Sequence, residues 1–302
     1  MRNPTMLWKR LRLTLDMIRF EHSVFALPFA LTGALLAWRD SGHPAASGRP
    51  LAGRLLWIIA AMVCARSAAM GFNRLVDARI DARNPRTRMR HLPAGVVSRG
   101  FAWAFVAVAS ALFVLAAGEL NRLCLLLSPV ALGFVFFYSF TKRFTSLSHL
   151  VLGFSLGIAP AAAWIAVRGS LDPRILWLTA AVTCWTAGFD VIYSCQDYQF
   201  DCSERLFSLP RVLGIARGLR VAQALHVAMV ICLVVLAREL HLGAVSLAGV
   251  AAVAALLIYE HSLVKPNDLS KLDAAFFTMN GYVSVLFFVF WAVDIVFCRP
   301  GL

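Results

Sequence analysis

The chain has 302 residues, of which 60% are hydrophobic and only 15% are charged. A soluble domain carries about 25% charged residues, so this composition excludes an ordinary soluble enzyme, and its hydrophobic content excludes a disordered chain. The formal net charge is +13, but we expect no nucleic-acid partner, because basic residues concentrate in the cytoplasmic loops of membrane proteins. The seven cysteines form no CxxC pair, which predicts neither a disulfide framework nor a zinc site.

The apolar residues occur in nine runs, each about as long as the 20 residues that a helix needs to cross a bilayer. Backbone polar groups have no partner in hydrocarbon, so each run is predicted to be a helix. The predicted fold class is an all-α integral membrane protein with about nine transmembrane helices, forming a single domain over residues 1–302. Residues 5–19 alternate basic and apolar residues and predict a short helix lying in the membrane interface. The nine runs are 20–38, 55–72, 101–118, 123–140, 149–167, 175–193, 221–237, 242–259 and 274–297.

The basic residues distribute unequally between the two sides of these segments. If the N-terminus lies inside, 20 Lys and Arg residues fall on that side and 8 on the other. This asymmetry predicts a cytoplasmic N-terminus and an external C-terminus. Two longer loops, at about 73–100 and 190–220, lie on the cytoplasmic side, and we expect them to form a cap that carries the chemistry.

Acidic residues form a stripe after the second apolar segment and another after the sixth. Each step of four residues advances only about 40° around a helix, so residues at that spacing share one face. In GFNRLVDARID they are Asn73, Asp77 and Asp81. In FDVIYSCQDYQFD they are Tyr193, Asp197 and Asp201, preceded by Asp190. The repeated spacing, 120 residues apart, indicates two weakly similar halves.

Carboxylates four residues apart repel each other, so the stripes require neutralising partners. One interpretation is salt bridges to nearby arginines such as Arg74, Arg79 or Arg205. The other is Mg²⁺, which takes oxygen ligands and commonly bridges carboxylates to substrate phosphates. The presence of two stripes favours Mg²⁺ held around a diphosphate.

Basic side chains near the stripes are candidates for binding phosphate, which arginine contacts as a two-pronged donor. They are Arg86, Arg90, Lys142 and Arg143. Simple anchoring of the loops to the cytoplasmic side is the alternative for Lys142 and Arg143 in particular. Arg66 lies within the second segment, on the face of the first stripe but deeper, where a charge usually faces a polar cavity.

Together these motifs resemble the UbiA-type intramembrane prenyltransferases. The resemblance rests on the Asn-xxx-Asp-xxx-Asp stripe, the arginine-containing tail that ends in Leu-Pro-x-Gly, the Tyr-Ser-xx-Lys-Arg segment and the Tyr-xxx-Asp-xxx-Asp stripe, over residues 19–282. Within the family the chain looks most like the 4-hydroxybenzoate polyprenyltransferase-like branch, which includes the menaquinone prenyltransferase of the futalosine route. His91 stands where the benzoate enzymes often carry proline, which leaves the acceptor open.

The resemblance implies helices around a central cavity under a cytoplasmic cap. It also implies Mg²⁺-dependent transfer of a polyprenyl chain from a polyprenyl diphosphate to an aromatic acid, in ubiquinone or menaquinone biosynthesis. The acceptor would be a hydroxybenzoate or a dihydroxynaphthoate. We expect the protein to lie in a bacterial inner membrane, with its active site facing the cytoplasm.

The predicted site residues fall into four roles. We expect Asp77, Asp81, Asp197 and Asp201 to hold the metal, and Arg86, Arg90, Lys142 and Arg143 to bind the diphosphate. Asn73 and Tyr193 would orient the reacting groups, and Asp190 would take the ring proton or position the acceptor hydroxyl. Arg19 and Arg66 are candidates for the acceptor carboxylate. The competing hypotheses are a membrane transporter and a related transferase with a non-aromatic acceptor.

Overall fold

A computed structural model of the chain describes residues 25–41 and 50–298. The predicted interfacial helix at 5–19 and the candidate residue Arg19 lie outside these residues. Across the described part the chain is helical and has no β-strand, only an isolated bridge between Lys265 and Asp268. Eight helical segments there are long and apolar enough to cross a membrane, which confirms the predicted all-α membrane fold. The first apolar run, 20–38, is described only from residue 25.

Eleven α-helices follow one another along the described residues, and we number them in chain order. Two 3-10 turns precede α6 and α7, at Pro173–Ile175 and Cys195–Asp197, and a π-helical turn, Ala274–Met279, leads into α11. The helices are α1 Leu27–Asp40, α2 Leu51–Arg83, α3 Arg99–Leu120, α4 Arg122–Thr141, α5 Ser148–Arg168, α6 Leu176–Ser194, α7 Tyr198–Glu204, α8 Leu209–Leu213, α9 Ile215–Glu239, α10 Ala244–Leu263 and α11 Asn280–Phe297.

Helix α2 is much longer than its apolar segment. Its 33 residues span about 50 Å at 1.5 Å per residue, well over the hydrocarbon thickness of about 30 Å. It therefore carries the first acidic stripe beyond the apolar run, within one continuous helix. It ends at Asn84, whose backbone is extended, because Pro85 disfavours helical geometry at the residue before it.

The second predicted loop, 190–220, is also largely helical. Helix α6 ends at Ser194, and a 3-10 turn joins it to α7. The short helix α8 follows, capped by the Ser208 hydroxyl, which accepts a hydrogen bond from the Arg211 N–H. Residues 205–208 thus form a short non-helical connection between two short helices. This connection contacts the end of α4, where the Phe207 N–H donates to the Lys142 carbonyl oxygen at 2.7 Å.

Helices α5 and α6 approach each other closely through glycines. A Cβ added at Gly153 would lie 2.3 Å from the Thr183 carbonyl oxygen, and one at Gly157 would lie 2.2 Å from the Thr183 hydroxyl. Small residues permit this backbone approach between membrane helices. The segment containing α6 is the most buried of the candidate membrane spans, so the end of α6 that carries the second stripe is held firmly in place.

The core beside α6 is built from large aromatic side chains, while apolar residues also cover the outer helix faces. Trp164, Trp185 and Trp291 are fully buried. On the outside, Val130 and Ile258 are 67% and 73% exposed. Such apolar exposure is expected for surfaces that face lipid tails.

Candidate active site

A cavity of about 190 Å³ lies where the stripe ends of α2 and α6 meet α4, α5 and α7. Its walls also include the turn at 84–90 and the connection at 206–208. Most of the predicted site residues line it: Asn73, Asp77, Asp81, Arg86, Arg90, Lys142, Asp190, Tyr193, Asp197 and Asp201. Two stripes that are 120 residues apart in sequence therefore face one space.

The first stripe is paired with basic residues from two different parts of the chain. Asp77 is buried; its Oδ2 lies 2.6 Å from the Lys142 ammonium and its Oδ1 lies 3.1 Å from an Arg143 guanidinium nitrogen. Asp81 is also buried, and both its oxygens accept at 2.8 Å from Nη1 of Arg90. Arg143 does not line the cavity itself but reaches it through Asp77.

Asn73, at the deeper end of the first stripe, is oriented by its own helix neighbour. Its side-chain amide donates to Oδ2 of Asp77 at 3.1 Å and to the Ser139 hydroxyl at 3.4 Å. The amide group is thereby fixed at the floor of the cavity, next to the carboxylate one turn above it.

The second stripe is paired with the turn after α2. The Arg86 guanidinium donates to both oxygens of Asp197, with Nε 2.9 Å from Oδ1, and Nη1 donates to the Tyr193 hydroxyl at 3.2 Å. The Asn84 amide donates to Asp197 at 3.0 Å. Burial opposes the charge of Arg86, but its hydrogen bonds to Asp197 and the charge of that carboxylate outweigh burial, and the pKa of the guanidinium lies above its ordinary value.

The 3-10 turn Cys195–Asp197 interrupts the regular helix between Tyr193 and Asp201. The sequence predicts one continuous helical face here, and the structure instead divides the stripe between α6 and α7. The three residues still line the cavity. Asp201 accepts a 2.7 Å hydrogen bond from the Ser208 hydroxyl, which ties α7 to the start of α8.

Several cavity residues escaped the sequence analysis, and His149 is the most informative of them. His149 is buried, and its Nδ1 lies 2.6 Å from Oδ2 of Asp190. A histidine at the start of an apolar segment, six residues after the Lys142-Arg143 pair, is the signal that could have found it. Asn84 and Ser208 also line the cavity and carry no comparable sequence signal. Tyr138, a further lining residue, is the tyrosine of the Tyr-Ser-xx-Lys-Arg segment.

Arg66 does not line the cavity. It lies seven residues before Asn73, about 10 Å deeper along α2 at the helical rise. Within the described part of the chain, its buried Nε has no hydrogen-bond partner. Its assignment to the acceptor carboxylate therefore remains a prediction.

The arrangement suits phosphate and divalent-cation chemistry together. The structure pairs the stripes with Arg86, Arg90, Lys142 and Arg143. Of the arginines expected as simple salt-bridge partners, Arg74 is buried in the cavity wall with a guanidinium nitrogen 4.0 Å from Asp81, whereas Arg79 and Arg205 are exposed. Among the described residues, no three His, Cys, Asp or Glu side chains lie close enough together to hold a metal by themselves. Mg²⁺ is commonly held by one or two carboxylates together with waters and substrate phosphates, and the stripe carboxylates that line the cavity are ligands of this kind.

The helical membrane fold contains a cavity that offers charged ligands for both a cation and an anion. The model of the UbiA prenyltransferase family matches residues 26–295. The chain therefore belongs to the UbiA prenyltransferase family, and it is a prenyl-transferring enzyme.

Relatives and solved structures agree with this membership. The chain is 32% identical over 256 residues to 4-hydroxybenzoate octaprenyltransferase of Vibrio atlanticus (strain LGP32), covering 82% of this chain and 88% of the relative. It is 31% identical over 239 residues to the enzyme of that name from Cronobacter sakazakii (strain ATCC BAA-894), covering 78% and 81%. The apo structure of a UbiA homolog from Aeropyrum pernix K1 superposes with a TM-score of 0.81 at 35% identity, covering 91% of this chain and 98% of that one.

A more distant solved structure shares the fold. A UbiA homolog from Archaeoglobus fulgidus, bound to DMAPP and Mg²⁺, matches with a TM-score of 0.68 at 19% identity. The match covers 94% of this chain and 99% of that one.

Proposed function

We propose that this enzyme transfers a polyprenyl chain from a polyprenyl diphosphate to an aromatic acid, with Mg²⁺ as its cofactor. The observation that carries the proposal is one cavity lined by the four stripe carboxylates together with Arg86, Arg90 and Lys142, with Arg143 paired to Asp77 beside it. Such a cavity offers ligands for a cation and for an anion in one place. Mg²⁺ bound to a solved family member supports the same donor chemistry.

The diphosphate would bind between the two stripes. Nζ of Lys142 lies 2.6 Å from Asp77, and Nε of Arg86 lies 2.9 Å from Asp197. When a diphosphate binds these two side chains, each of them would exchange its carboxylate partner for a phosphate oxygen. Asp77, Asp81, Asp197 and Asp201 would then hold Mg²⁺ against the diphosphate oxygens, and the bound cation would neutralise the charge that develops on the leaving group. Arg90 and Arg143 add fixed positive charge at the same place.

The reaction breaks the bond between the allylic C1 and the diphosphate oxygen and forms a bond from C1 to an electron-rich ring carbon. Asn73 and Tyr193, at the inner ends of the stripes, would orient the diphosphate and the cationic carbon. The ring then loses a proton, and Asp190, whose side chain is 21% exposed in the cavity, would accept it or position the acceptor hydroxyl. The apolar helix faces below would hold the prenyl tail and exclude water from the cation.

The acceptor is an aromatic acid, and the relatives named 4-hydroxybenzoate octaprenyltransferase favour a hydroxybenzoate over a dihydroxynaphthoate. The product would then enter ubiquinone biosynthesis, or menaquinone biosynthesis for a naphthoate. Arg66 would bind the acceptor carboxylate, since a buried guanidinium below the diphosphate site gains most from an anionic partner. Arg19 is the other candidate for this contact.

The excess of basic residues on one side supports a cytoplasmic N-terminus, and with it an active site that opens to the cytoplasm of a bacterial cell. The inner membrane would be the site of the reaction, where the prenyl substrate is dissolved in lipid.

The test uses purified enzyme in lipid nanodiscs with a prenyl diphosphate and a panel of acceptors: 4-hydroxybenzoate, a dihydroxynaphthoate and a glycerophosphate. We expect a prenylated aromatic acid by mass spectrometry, and diphosphate release only when donor and aromatic acid are both present. Removing Mg²⁺ with EDTA should stop release, and added Mg²⁺ should restore it. Prenylation of the glycerophosphate alone would contradict the proposal, as would turnover that persists in EDTA.

A further inference from the structure

His149 connects two parts of the cavity through its two ring nitrogens. It stands in the first turn of α5 and is buried. Nδ1 lies 2.6 Å from the Asp190 carboxylate on α6. Nε2 lies 3.2 Å from the backbone nitrogen of Leu209, the first residue of α8. One side chain thus contacts both the acidic residue deep in the cavity and the cap above it.

The two contacts fix which nitrogen carries the proton. The Leu209 N–H can only donate, so Nε2 must accept and carries no proton. Nδ1 therefore carries the proton and donates it to Asp190. The imidazole is neutral in this geometry, and it holds Oδ2 of Asp190 in one orientation.

The Leu209 end of this connection belongs to a segment that contacts the diphosphate side of the cavity. The neighbouring Ser208 hydroxyl donates to Asp201 at 2.7 Å. The Phe207 N–H donates to the carbonyl oxygen of Lys142 at 2.7 Å. Residues 206–209 are thus hydrogen-bonded to a predicted metal ligand, Asp201, and to the backbone of a predicted diphosphate ligand, Lys142.

We propose that His149 is a positioning residue that couples the two substrates: its Nδ1–H orients Asp190 toward the aromatic acceptor, and its Nε2 holds the 206–209 segment over the diphosphate. This inference rests on the proposed function, which assigns the aromatic acceptor to the Asp190 side of His149 and the diphosphate to the 206–209 side. The contacts themselves are independent of the reaction. His149 does not touch the reacting atoms and acts through Asp190 and through the cap.

Two substitutions separate the two hydrogen bonds of His149, because the side-chain amide of Asn or of Gln reproduces only one of the two imidazole nitrogens. In His149→Asn the amide nitrogen lies where Nδ1 lies, so the donor to Asp190 stays. The hydrogen bond between the Leu209 N–H and Nε2, which we call the tether, is lost. In His149→Gln the amide oxygen lies where Nε2 lies, so the tether stays and the donor is lost. Each variant is therefore the matched control of the other.

We expect His149→Asn to raise KM for the prenyl diphosphate and the Mg²⁺ concentration for half-activity by about tenfold, the order found when a residue that orients a ligand is removed. KM for the aromatic acid should be unchanged in this variant. His149→Gln should do the reverse, raising KM for the aromatic acid or lowering kcat while the Mg²⁺ requirement holds. Equal changes in both variants, or wild-type constants in both, would overturn the proposal.

Hydrogen exchange at the Leu209 amide gives a second readout that needs no activity. Exchange should be faster than wild type in His149→Asn and unchanged in His149→Gln. The opposite order, or no difference, rejects the tether. If the wild-type enzyme prenylates no aromatic acid, the proposed function fails, and this exchange experiment alone still decides whether His149 couples α5 to the cap.

A second pair of variants leaves His149 in place, in case its replacement prevents folding. Leu209→Pro removes the amide donor at the first position of α8, where proline is well tolerated. Leu209→Ala removes the same apolar side chain and keeps the N–H. Leu209→Pro should raise KM for the prenyl diphosphate well beyond the effect of Leu209→Ala, and equal effects of the two would count against the tether.

Discussion

At the scale of single residues, the cavity is an alternation of opposite charges. Asp77, Asp81 and Asp197 each lie within about 3 Å of at least one guanidinium or ammonium group. Replacing such a carboxylate with the isosteric amide keeps the shape of the side chain but removes its charge, and with it the salt bridge and the metal ligand. This makes charge-removing substitutions more informative here than truncations.

The first prediction concerns the stripe carboxylates. Asp77→Asn and Asp197→Asn should each reduce kcat at least about a hundredfold, because removing a group that stabilises charge in the transition state costs on the order of 10²–10³ in rate. The measurement is prenyl transfer at saturating Mg²⁺, together with the yield and melting temperature of each variant.

Asp268→Asn is the matched control, since Asp268 is exposed in the loop after α10 and its hydrogen bonds, to Lys265 and Ser270, stay within that loop. It should keep wild-type activity. Near-normal turnover of either stripe variant at low Mg²⁺ would contradict the metal assignment.

A second prediction separates the acceptor from the diphosphate. Arg66 lies about 10 Å below Asn73 along α2, out of direct reach of a diphosphate bound between the stripes. Arg66→Gln should raise KM for the aromatic acid and leave KM for the prenyl diphosphate nearly unchanged. Arg79→Gln, an exposed charge on the same helix, should leave both constants unchanged.

Other outcomes for Arg66→Gln have distinct meanings. A loss of thermal stability with both constants unchanged would give Arg66 a structural role. An equal rise in both constants, with stability intact, would place it at the diphosphate.

At the scale of helices, the position of the second stripe depends on how closely α6 packs against its neighbours. Gly153 and Gly157 of α5 allow contact with Thr183, and Gly188 of α6 leaves room for the buried ring of His226. These contacts place the end of α6, and with it Asp190 and Tyr193, at a fixed height opposite α2.

The π-helical turn before α11 supports the same region. The Asn280 amide donates to the Phe276 carbonyl oxygen at 2.9 Å, which satisfies a carbonyl in the irregular turn. The ring of Phe276 stacks on Tyr193, with centroids 4.1 Å apart. Asn280 is buried and also reaches Glu260 of α10 at 3.4 Å, so it fulfils both local and interhelical roles.

A third prediction tests the α5–α6 contact. Gly153→Ala would force Cβ to within 2.3 Å of the Thr183 carbonyl oxygen, and overpacking of this kind costs about 1–3 kcal/mol. We expect a lower melting temperature and reduced activity, because α6 must move away from α5. The measurement is thermal unfolding of the purified enzyme in detergent.

Gly133→Ala is the control on α4, because its added Cβ would meet no atom within 4 Å. It should not lower the melting temperature. If both alanine variants behave alike, the close approach of α5 and α6 does not set the stability of the site.

At the scale of the whole molecule, the cavity lies at one end of the helices that carry the two stripes. Residues 84–98 and 205–214 follow those helices, and the turn after α5 lies at the opposite end of α6. The charge asymmetry of the sequence predicts which side of the membrane the cavity end faces.

The fourth prediction is the orientation. In a background in which the other cysteines are replaced, the exposed Cys202 of α7 and a cysteine introduced at Met89, which is 79% exposed, should react with impermeant maleimide only from the cytoplasmic side. A cysteine introduced at Leu171, which is 48% exposed, should react only from outside. Labelling of position 89 from outside would overturn the orientation and move the active site to the other face.

The amino-acid sequence by itself determined the all-helical membrane fold and the family. Hydropathy over about 20 residues is a local property that the bilayer converts directly into helices. The stripes could also be recognised, because i, i+4, i+8 spacing needs only local helix geometry. For the same reason the sequence predicted the first stripe better than the second, which the 3-10 turn Cys195–Asp197 divides.

Only the tertiary structure decided which charges meet. Lys142 and Arg143 pair with Asp77 across more than 60 residues of sequence, and this requires α2 to pack beside α4. His149 acquires its two partners only because α5, α6 and the start of α8 converge. Pairing between distant side chains depends on how helices pack, and packing is set by the fit of whole surfaces, which the spacing of residues along one helix does not encode.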